Sequence, residues 1–471
     1  MPPRNLNVIF LACCISFLCY VTHRRAKTAI MVGNAYDLIN TYYVDPVDEK
    51  SLMIAAMDGM TSTLDQHSEY IPAGLYESFQ NSISQEFAGI GIYVEQPKKN
   101  EPVRVITPLV GSPALRAGML PGDQIIKIDG QDVSRMDLSE VSDRLKGPIN
   151  TVVSVVVRRD DEEPIAMSIQ RATIELESII GDHRDEENAW VYRLSDDPTI
   201  AYVRLTSFGE KTVDELRSVL TGLDNDYRGL IVDVRGNSGG LLFAAIEISD
   251  MFLDRGRIVS TRIRGDRIED ESDATPGTLV DLDRPVAVLI DENSASASEI
   301  LAAALQDNAR AVVVGKRSYG KGTVQNIFPL QYGRSALRLT VARYYRPNGK
   351  NIHRPKAAAS ENSRLPTPHD GGVEEIPATD EATKEAIEEL EWGVSPNEGM
   401  VVEIDDATRR ALMQRWQEAS YPSLRGNDES AADGDEIPNL IEIDPQLRRA
   451  VEAIEDASSG ISAAQPSATA A

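Results

Sequence analysis

Hydrophobic and polar positions change their period repeatedly along this chain, and each change marks a candidate boundary. From about Thr28 to Phe79 the apolar side chains recur at helical spacing. Val32, Ala35, Tyr36, Ile39 and Tyr43 share one face, and Met53, Met57 and Met60 continue the pattern. This predicts a helical lead-in over residues 28–82. From Glu86 the chain breaks into short alternating runs at Gly89–Val94, Val103–Ile106, Gln124–Ile128 and Val152–Val157. Turn residues separate them: Gly111-Ser112-Pro113, Leu120-Pro121-Gly122-Asp123 and Asp129-Gly130. A compact β-rich module over residues 83–173 fits. From Ile200 onward strands alternate with helices: strand Arg228–Val234, helix Leu241–Phe252, strand Pro285–Asp291, helix Ser296–Leu305, strand Ala311–Val314. That order predicts an α/β region over 174–356, with βαβ units and helices covering a largely parallel sheet.

The two ends read differently. Ala357–Pro377 is a polar linker, followed by helical patches at Glu381–Leu390, Ala407–Gln417 and Gln446–Ile454. Residues 357–457 form an acidic extension that reads first as solvation. Small residues dominate 458–471, which are expected to be disordered. Val8–Val21 is nearly all apolar, preceded by Arg4 and followed by His23, Arg24, Arg25 and Lys27. A run of that length suits a signal peptide better than a full span, which needs about 20 residues. No small-x-small cleavage site follows, and the basic cluster opposes export of that flank. Residues 1–27 are therefore read as a signal peptide or a membrane anchor. The expected location is the cell envelope, on the extracytoplasmic side, with attachment to the membrane through the N-terminus left open.

Composition excludes some functions. The formal net charge of −26 makes nucleic acid a poor partner. Cys13, Cys14 and Cys19 are the only cysteines, and all lie in the N-terminal apolar run. The globular part therefore has no disulfide, thiolate nucleophile or cysteine metal ligand. No metal or organic cofactor is expected.

One segment carries chemistry. Asn293-Ser294-Ala295-Ser296-Ala297-Ser298-Glu299 precedes an alanine-rich helical run, and Gly320-Lys321-Gly322 lies further on. The chain holds five histidines, none between these two motifs. A serine deprotonated without histidine has one common substitute base, a lysine held neutral by its surroundings. Such a lysine must titrate well below the usual value of about 10.4. Ser296, at the start of a helix, would have unpaired N–H groups beside it, among them that of Ala297, to receive an oxyanion. Arg235-Gly236-Asn237-Ser238-Gly239-Gly240 offers a second donor. Gln325 is placed to bond the amine of Lys321. Each feature has a plainer reading. Ser296-x-x-Glu299 also fits a helix-capping box, Gly239-Gly240 a tight turn that Asp233 and Asn237 would bond, and Lys321 a surface loop. Gly315-x-x-x-x-Gly320-Lys321 imitates a phosphate-binding loop. Gly322 follows where Ser or Thr is needed, however, and the next residues read as strand rather than helix.

Assembled, these residues resemble the carboxyl-terminal processing proteases, also called tail-specific proteases. Tyr43-Val44-Asp45 and Asp65-Gln66-His67-Ser68-Glu69-Tyr70-Ile71 are similar to family motifs, as are Ser294–Ile300, Gly320–Gln325 and Arg346-Pro347-Asn348-Gly349. The resemblance implies a serine endopeptidase with a ClpP/crotonase-like β-α-β core. In it Ser296 is the nucleophile, Lys321 the general base and Gln325 its support. Ser296 is chosen among three alternating serines because the family's serine-to-lysine spacing of 25 fits it alone. Gly239 or Gly240 with Ala297 would form the oxyanion hole. The β-rich module looks like an inserted PDZ domain, which implies capture of a C-terminal carboxylate by Gly89, Ile90, Gly91 and Ile92. Arg158 or Arg159 would relay that capture. Protein or peptide substrates with apolar C-termini follow, and an oligomer or an adaptor protein is compatible with the pattern. The competing reading, a catalytically silent PDZ-containing scaffold in the envelope, is disfavoured because serine and lysine are both present.

Overall fold

The computed structural model of the chain describes residues 10, 12, 16, 27–84, 86–159, 162–330, 334–354, 357–358, 376–377, 391–420 and 439–463. They fall into two compact units, Met1–Tyr76 with Gln325–Thr340, and Glu77–Val324 with Val341–Ala471. The N-terminal apolar run, the linker and the helical patch at Glu381–Leu390 lie almost wholly outside the described residues. No helix among the described residues is long and apolar enough to cross a membrane.

The predicted helical lead-in contains helices, but a strand at Glu69–Ile71 interrupts it. A helix over 27–42 is followed by Glu49–Thr61, started by Asp48, whose carboxylate accepts the Ser51 N–H at 3.0 Å. Strand Glu69–Ile71 then pairs antiparallel with Ala336–Arg338. The turn before it explains its polar residues. Asp65 accepts the His67 N–H at 2.8 Å and the hydroxyls of Ser68 and Thr340 at 3.2 Å each. Burial works to raise this carboxyl, but these hydrogen bonds outweigh it and leave it below the ordinary range. Gln325 belongs to the same unit, and its amide donates to the Thr340 hydroxyl at 3.3 Å.

In the second unit the β-rich module closes around one core. Strands Ile92–Glu95, Val103–Pro108, Gln124–Ile128, Val152–Arg158 and Ile165–Gln170 run in that spatial order, and Glu86–Gly89 pairs with Ala172–Glu175. Alternate positions Val153, Val155 and Val157 are fully buried. Helix Leu138–Leu145, begun by an Asp137 and Glu140 capping box, adds to the strands read from the sequence. Ile90 is buried in this core, so its backbone rather than its side chain is available to a peptide. Its carbonyl accepts the Ala114 N–H at 2.9 Å, and that of Gly91 accepts the Leu109 N–H at 3.0 Å. Arg159 is held within the module, forked onto buried Asp123 at 2.8 and 3.0 Å.

The α/β region is a five-stranded sheet in the order Ile179–Ile180, Ile200–Leu205, Gly229–Asp233, Val286–Ile290, Val312–Gly315. The last four strands are parallel. Alternation sends their side chains to two different cores. Val203, Leu205, Val232, Val288 and Ile290 pack with Leu216, Ile248 and Leu301 from helices Thr212–Leu223, Leu242–Asp250 and Ala297–Asp307. On the opposite side Tyr202, Ile231, Ala287, Leu289 and Val314 pack with Leu412, Leu447, Val451 and Ile454. These last residues belong to the acidic extension, so its helices Asp406–Ala419 and Pro445–Ala463 are a layer of the fold, not only a solvated surface. Each fully buried aliphatic side chain there contributes about 1.5–3 kcal/mol. Helix Pro445–Ala463 also passes Ser458, where disorder was expected. Ser458 and Ser459 donate their hydroxyls back to the Ile454 and Glu455 carbonyls of the same helix, while residues 464–471 lie outside the described residues.

Candidate active site

The serine turn leaves strand Val286–Ile290 through Asp291, whose carboxylate accepts the N–H groups of Gly236, Asn293 and Ser294 at 2.9–3.0 Å. Two of the three alternating serines serve this junction. Ser294 donates to the Val234 carbonyl at 2.8 Å, and Ser298 to the Asn237 carbonyl at 2.9 Å, and both are fully buried. They stitch the turn to the glycine-rich loop. Ser296 alone is partly exposed. Its backbone sits at φ 56°, ψ −112°, a strained position for any residue but glycine. Such strain at a strand-to-helix turn is how a nucleophile is presented outward.

Glu299 is the group that sequence reasoning undervalued. It forms the capping-box contact, taking the Ser296 N–H on Oε2 at 2.7 Å. The Ser296 hydroxyl approaches the helix start without closing a cap hydrogen bond. The same Oε2 accepts the Lys321 N–H at 2.9 Å. Oε1 accepts the Ser318 hydroxyl at 2.6 Å and the Gly320 N–H at 2.7 Å. One buried carboxylate therefore clamps the serine turn to the lysine loop. Burial drives its pKa above the usual carboxyl value, opposed by these four donors. All four partners are donors, which suits an ionised acceptor.

The glycines around Lys321 are required by close contact. A Cβ on Gly320, which has φ +87°, would meet Trp392 at 2.8 Å and Arg354 at 2.7 Å. One on Gly322 would lie 2.3 Å from the His353 nitrogen. Trp392 comes from the acidic extension, and its ring is flanked by the Arg317 and Arg354 guanidinium groups. The neighbouring Val394 exchanges hydrogen bonds with Ser318. After Gly322 the chain enters strand Thr323–Leu330, so no helix terminus follows the lysine and the phosphate-loop imitation fails.

The glycine-rich loop approaches Ser296 closely. A Cβ on Gly239 would stand 2.6 Å from the Ala295 carbonyl and 2.8 Å from the Ala297 nitrogen. The Gly239 N–H already donates to Asn237 Oδ1 at 2.8 Å. Of the two glycines, Gly240 is therefore the one whose N–H has no acceptor among the described residues. The loop starts from a buried charge network. Asp233 accepts from Tyr202 at 2.8 Å and from Arg235 at 2.7–3.0 Å. Arg235 also binds Asp444 at 2.7 and 3.1 Å and Gln446 at 2.9 Å. Burial disfavours the Asp233 charge, yet Arg235 and Arg204 hold its pKa at about 2. Asp444 also accepts the Gln446 and Leu447 N–H groups, which caps helix Pro445–Ala463. The extension thus braces both loops of the site. Only its helical spacing was legible in the sequence; its partners were not.

Residues 199–359 match peptidase family S41, and residues 104–159 match a PDZ domain. The chain is 38% identical over 332 residues to a carboxy-terminal-processing protease of Bartonella bacilliformis, covering 69% of this chain and 73% of that one. It is 32% identical over 341 residues to the carboxy-terminal processing protease CtpA of Bacillus subtilis, covering 71% and 69%. Among solved structures, a photosystem II D1 C-terminal processing protease matches at 29% identity with a TM-score of 0.39, over 68% of this chain and 83% of that one. With a PDZ domain set before an α/β peptidase core, the chain belongs to the carboxy-terminal processing proteases of peptidase family S41, serine-type enzymes acting on proteins or peptides.

Proposed function

We propose that Ser296 is the nucleophile of this peptidase and Lys321 its general base. The observation that carries this reading is Glu299 Oε2, bound at once by the backbones of both residues. The strained backbone of Ser296 and the engagement of Ser294 and Ser298 elsewhere support it. In this mechanism the neutral Lys321 amine takes the Ser296 proton as Oγ bonds to the scissile carbonyl carbon. The N–H of Ala297, with that of Gly240 rather than Gly239, receives the developing oxyanion. Lys321 then returns the proton to the leaving amine, which leaves an acyl-enzyme. Water then attacks the ester carbonyl carbon as Lys321 takes its proton, and Lys321 returns that proton to Ser296 Oγ as the ester bond breaks and the product acid leaves. Gln325 supports the lysine. No metal takes part in these steps.

In the same proposal the chain divides into a helical region over 28–82, a PDZ domain over 83–173, a catalytic core over 174–356 and a bracing extension beyond it. The Gly89–Ile92 segment captures the substrate carboxylate, and strand Ile92–Glu95 pairs with the tail. An apolar last residue is preferred. Residues 1–27 direct the chain to the cell envelope; recovery of the intact protein from the cytoplasmic fraction alone would contradict this.

The test uses the purified protein and its Ser296→Ala form with denatured test proteins ending in leucine or in aspartate, with fragments read by mass. Fragments are expected from the unaltered protein only, and preferentially from the leucine-ended substrate. Equal fragmentation by Ser296→Ala would remove the nucleophile assignment, and indifference to the last residue would remove tail selection.

A further inference from the structure

Ser318 takes no part in the mechanism above, yet it is only 1% exposed and stands between the site and the acidic extension. Residues 394–402 of that extension run beside the strand and loop that lead to Lys321. The Asn397 side chain accepts the Val313 N–H at 2.8 Å, and the Met400 carbonyl accepts the Gly315 N–H at 3.1 Å. The Ser395 hydroxyl accepts the Arg317 Nε–H at 3.0 Å. These contacts end on the chain approaching the lysine. Those at Ser318 go further. Its N–H donates to the Val394 carbonyl at 3.0 Å, and its hydroxyl oxygen accepts the Val394 N–H at 2.7 Å. The same hydroxyl donates to Glu299 Oε1 at 2.6 Å. Gly393 lies directly against it at φ +61°, where a Cβ would stand 2.9 Å from the Ser318 oxygen.

A serine hydroxyl has one proton and two lone pairs. The Val394 N–H occupies a lone pair, so the proton is left for Glu299, and a hydrogen bond to a carboxylate is charge-assisted. Glu299 holds the N–H groups of Ser296 and Lys321 on its other oxygen. A chain of hydrogen bonds thus runs from Val394 through Ser318 and Glu299 to both loops of the site. We propose that Ser318 is a positioning residue, through which the extension fixes the Glu299 carboxylate and with it the register of Ser296 against Lys321. This inference rests on those two residues being the nucleophile and the base. Without the hydroxyl, Oε1 keeps only the Gly320 N–H, and the carboxylate is free to turn, carrying Oε2 with it. Misplacing reacting groups by about 1 Å costs on the order of 10²-fold in rate. Tail capture by the PDZ domain uses none of these contacts, so binding should be spared.

Ser318→Ala removes the hydroxyl and Ser318→Thr restores it. In the full-length protein Ser318→Ala is expected to lower kcat on a tail peptide about 10- to 100-fold. KM is expected to stay unchanged, and Ser318→Thr to recover most of the loss. Circular dichroism gives the folded fraction of each form, and kcat is corrected by it. Should alanine fail to fold, Ser318→Cys carries the same test, because a thiol is a weak donor and kcat should again fall. Four results would overturn the proposal: a wild-type kcat in the folded variant, a loss only in proportion to unfolding, a rise in KM alone, or a threonine form as impaired as the alanine form. Ser296→Ala is assayed in parallel. An active Ser296→Ala enzyme would overturn the nucleophile reading and this inference together. An inactive one beside a folded Ser318→Ala with wild-type kcat would overturn this inference alone.

Discussion

Lys321→Ala is expected to lower kcat by at least about 10³-fold with little change in fold. General acid–base catalysis is worth about 10²–10⁴-fold in a single step. In the proposed mechanism one amine serves acylation, departure of the leaving group and deacylation, so its loss would reach every step. The backbone role of Lys321, its N–H on Glu299, survives the substitution, and so do the close contacts of Gly320 with Trp392 and of Gly322 with His353. Stability should therefore remain near wild type. Lys321→Arg sharpens the result. Arginine keeps the charge and reach of lysine but cannot deprotonate in a protein. It should be as inactive as alanine, as measured by steady-state hydrolysis of a tail peptide. Substantial activity in the arginine variant would mean that position 321 supplies charge and not a base.

Asp444→Ala is expected to destabilise the fold by about 3–5 kcal/mol, the usual result of leaving a buried charge without its partner. Asp444 binds Arg235 with both oxygens and caps helix Pro445–Ala463. Alanine therefore removes an ion pair and a helix cap together, although Asp233 still faces the guanidinium. Because Arg235 opens the glycine-rich loop, kcat should fall even under conditions where the protein stays folded. Urea denaturation measures the first effect and peptide hydrolysis the second. The same network sets an acid limit. Asp233 is held at about 2 against an ordinary 3.8, so its stabilising contribution is complete above about pH 4 and is lost as pH falls through about 2. The loss amounts to on the order of 2 kcal/mol. An Asp444→Ala protein as stable and active as wild type would show that the extension only covers the sheet.

Much of the fold was legible because it is written in local pattern. The runs Leu230–Val232 and Val286–Ile290 are apolar throughout, as strands covered on both faces must be, and the sequence placed their strands within a residue or two. Ser296 and Lys321 were singled out by residue type and, through the family resemblance, by their spacing. What escaped was long-range. Glu299 looked like the partner in a capping box, which it is. Nothing local showed that its second oxygen and half of its first would hold the lysine loop. Tyr344 sits in strand Ser335–Tyr345, which the sequence reading did not assign. Asp444 and Trp392 lie in a segment whose acidity masks the apolar stripe Leu447, Val451 and Ile454. Helical spacing announced that stripe, but not the sheet it covers. That the Gly239 N–H is taken by the Asn237 side chain is recorded by no sequence pattern.

The most direct test of the account is to trap the acyl-enzyme. The protein would be mixed with a peptide ester at low pH to slow deacylation, then digested and read by mass. The acyl group is expected on the peptide containing Ser296, and absent when Lys321 is replaced by alanine. An acyl group on another residue, or on Ser296 at an undiminished rate without Lys321, would contradict the pairing of these two side chains.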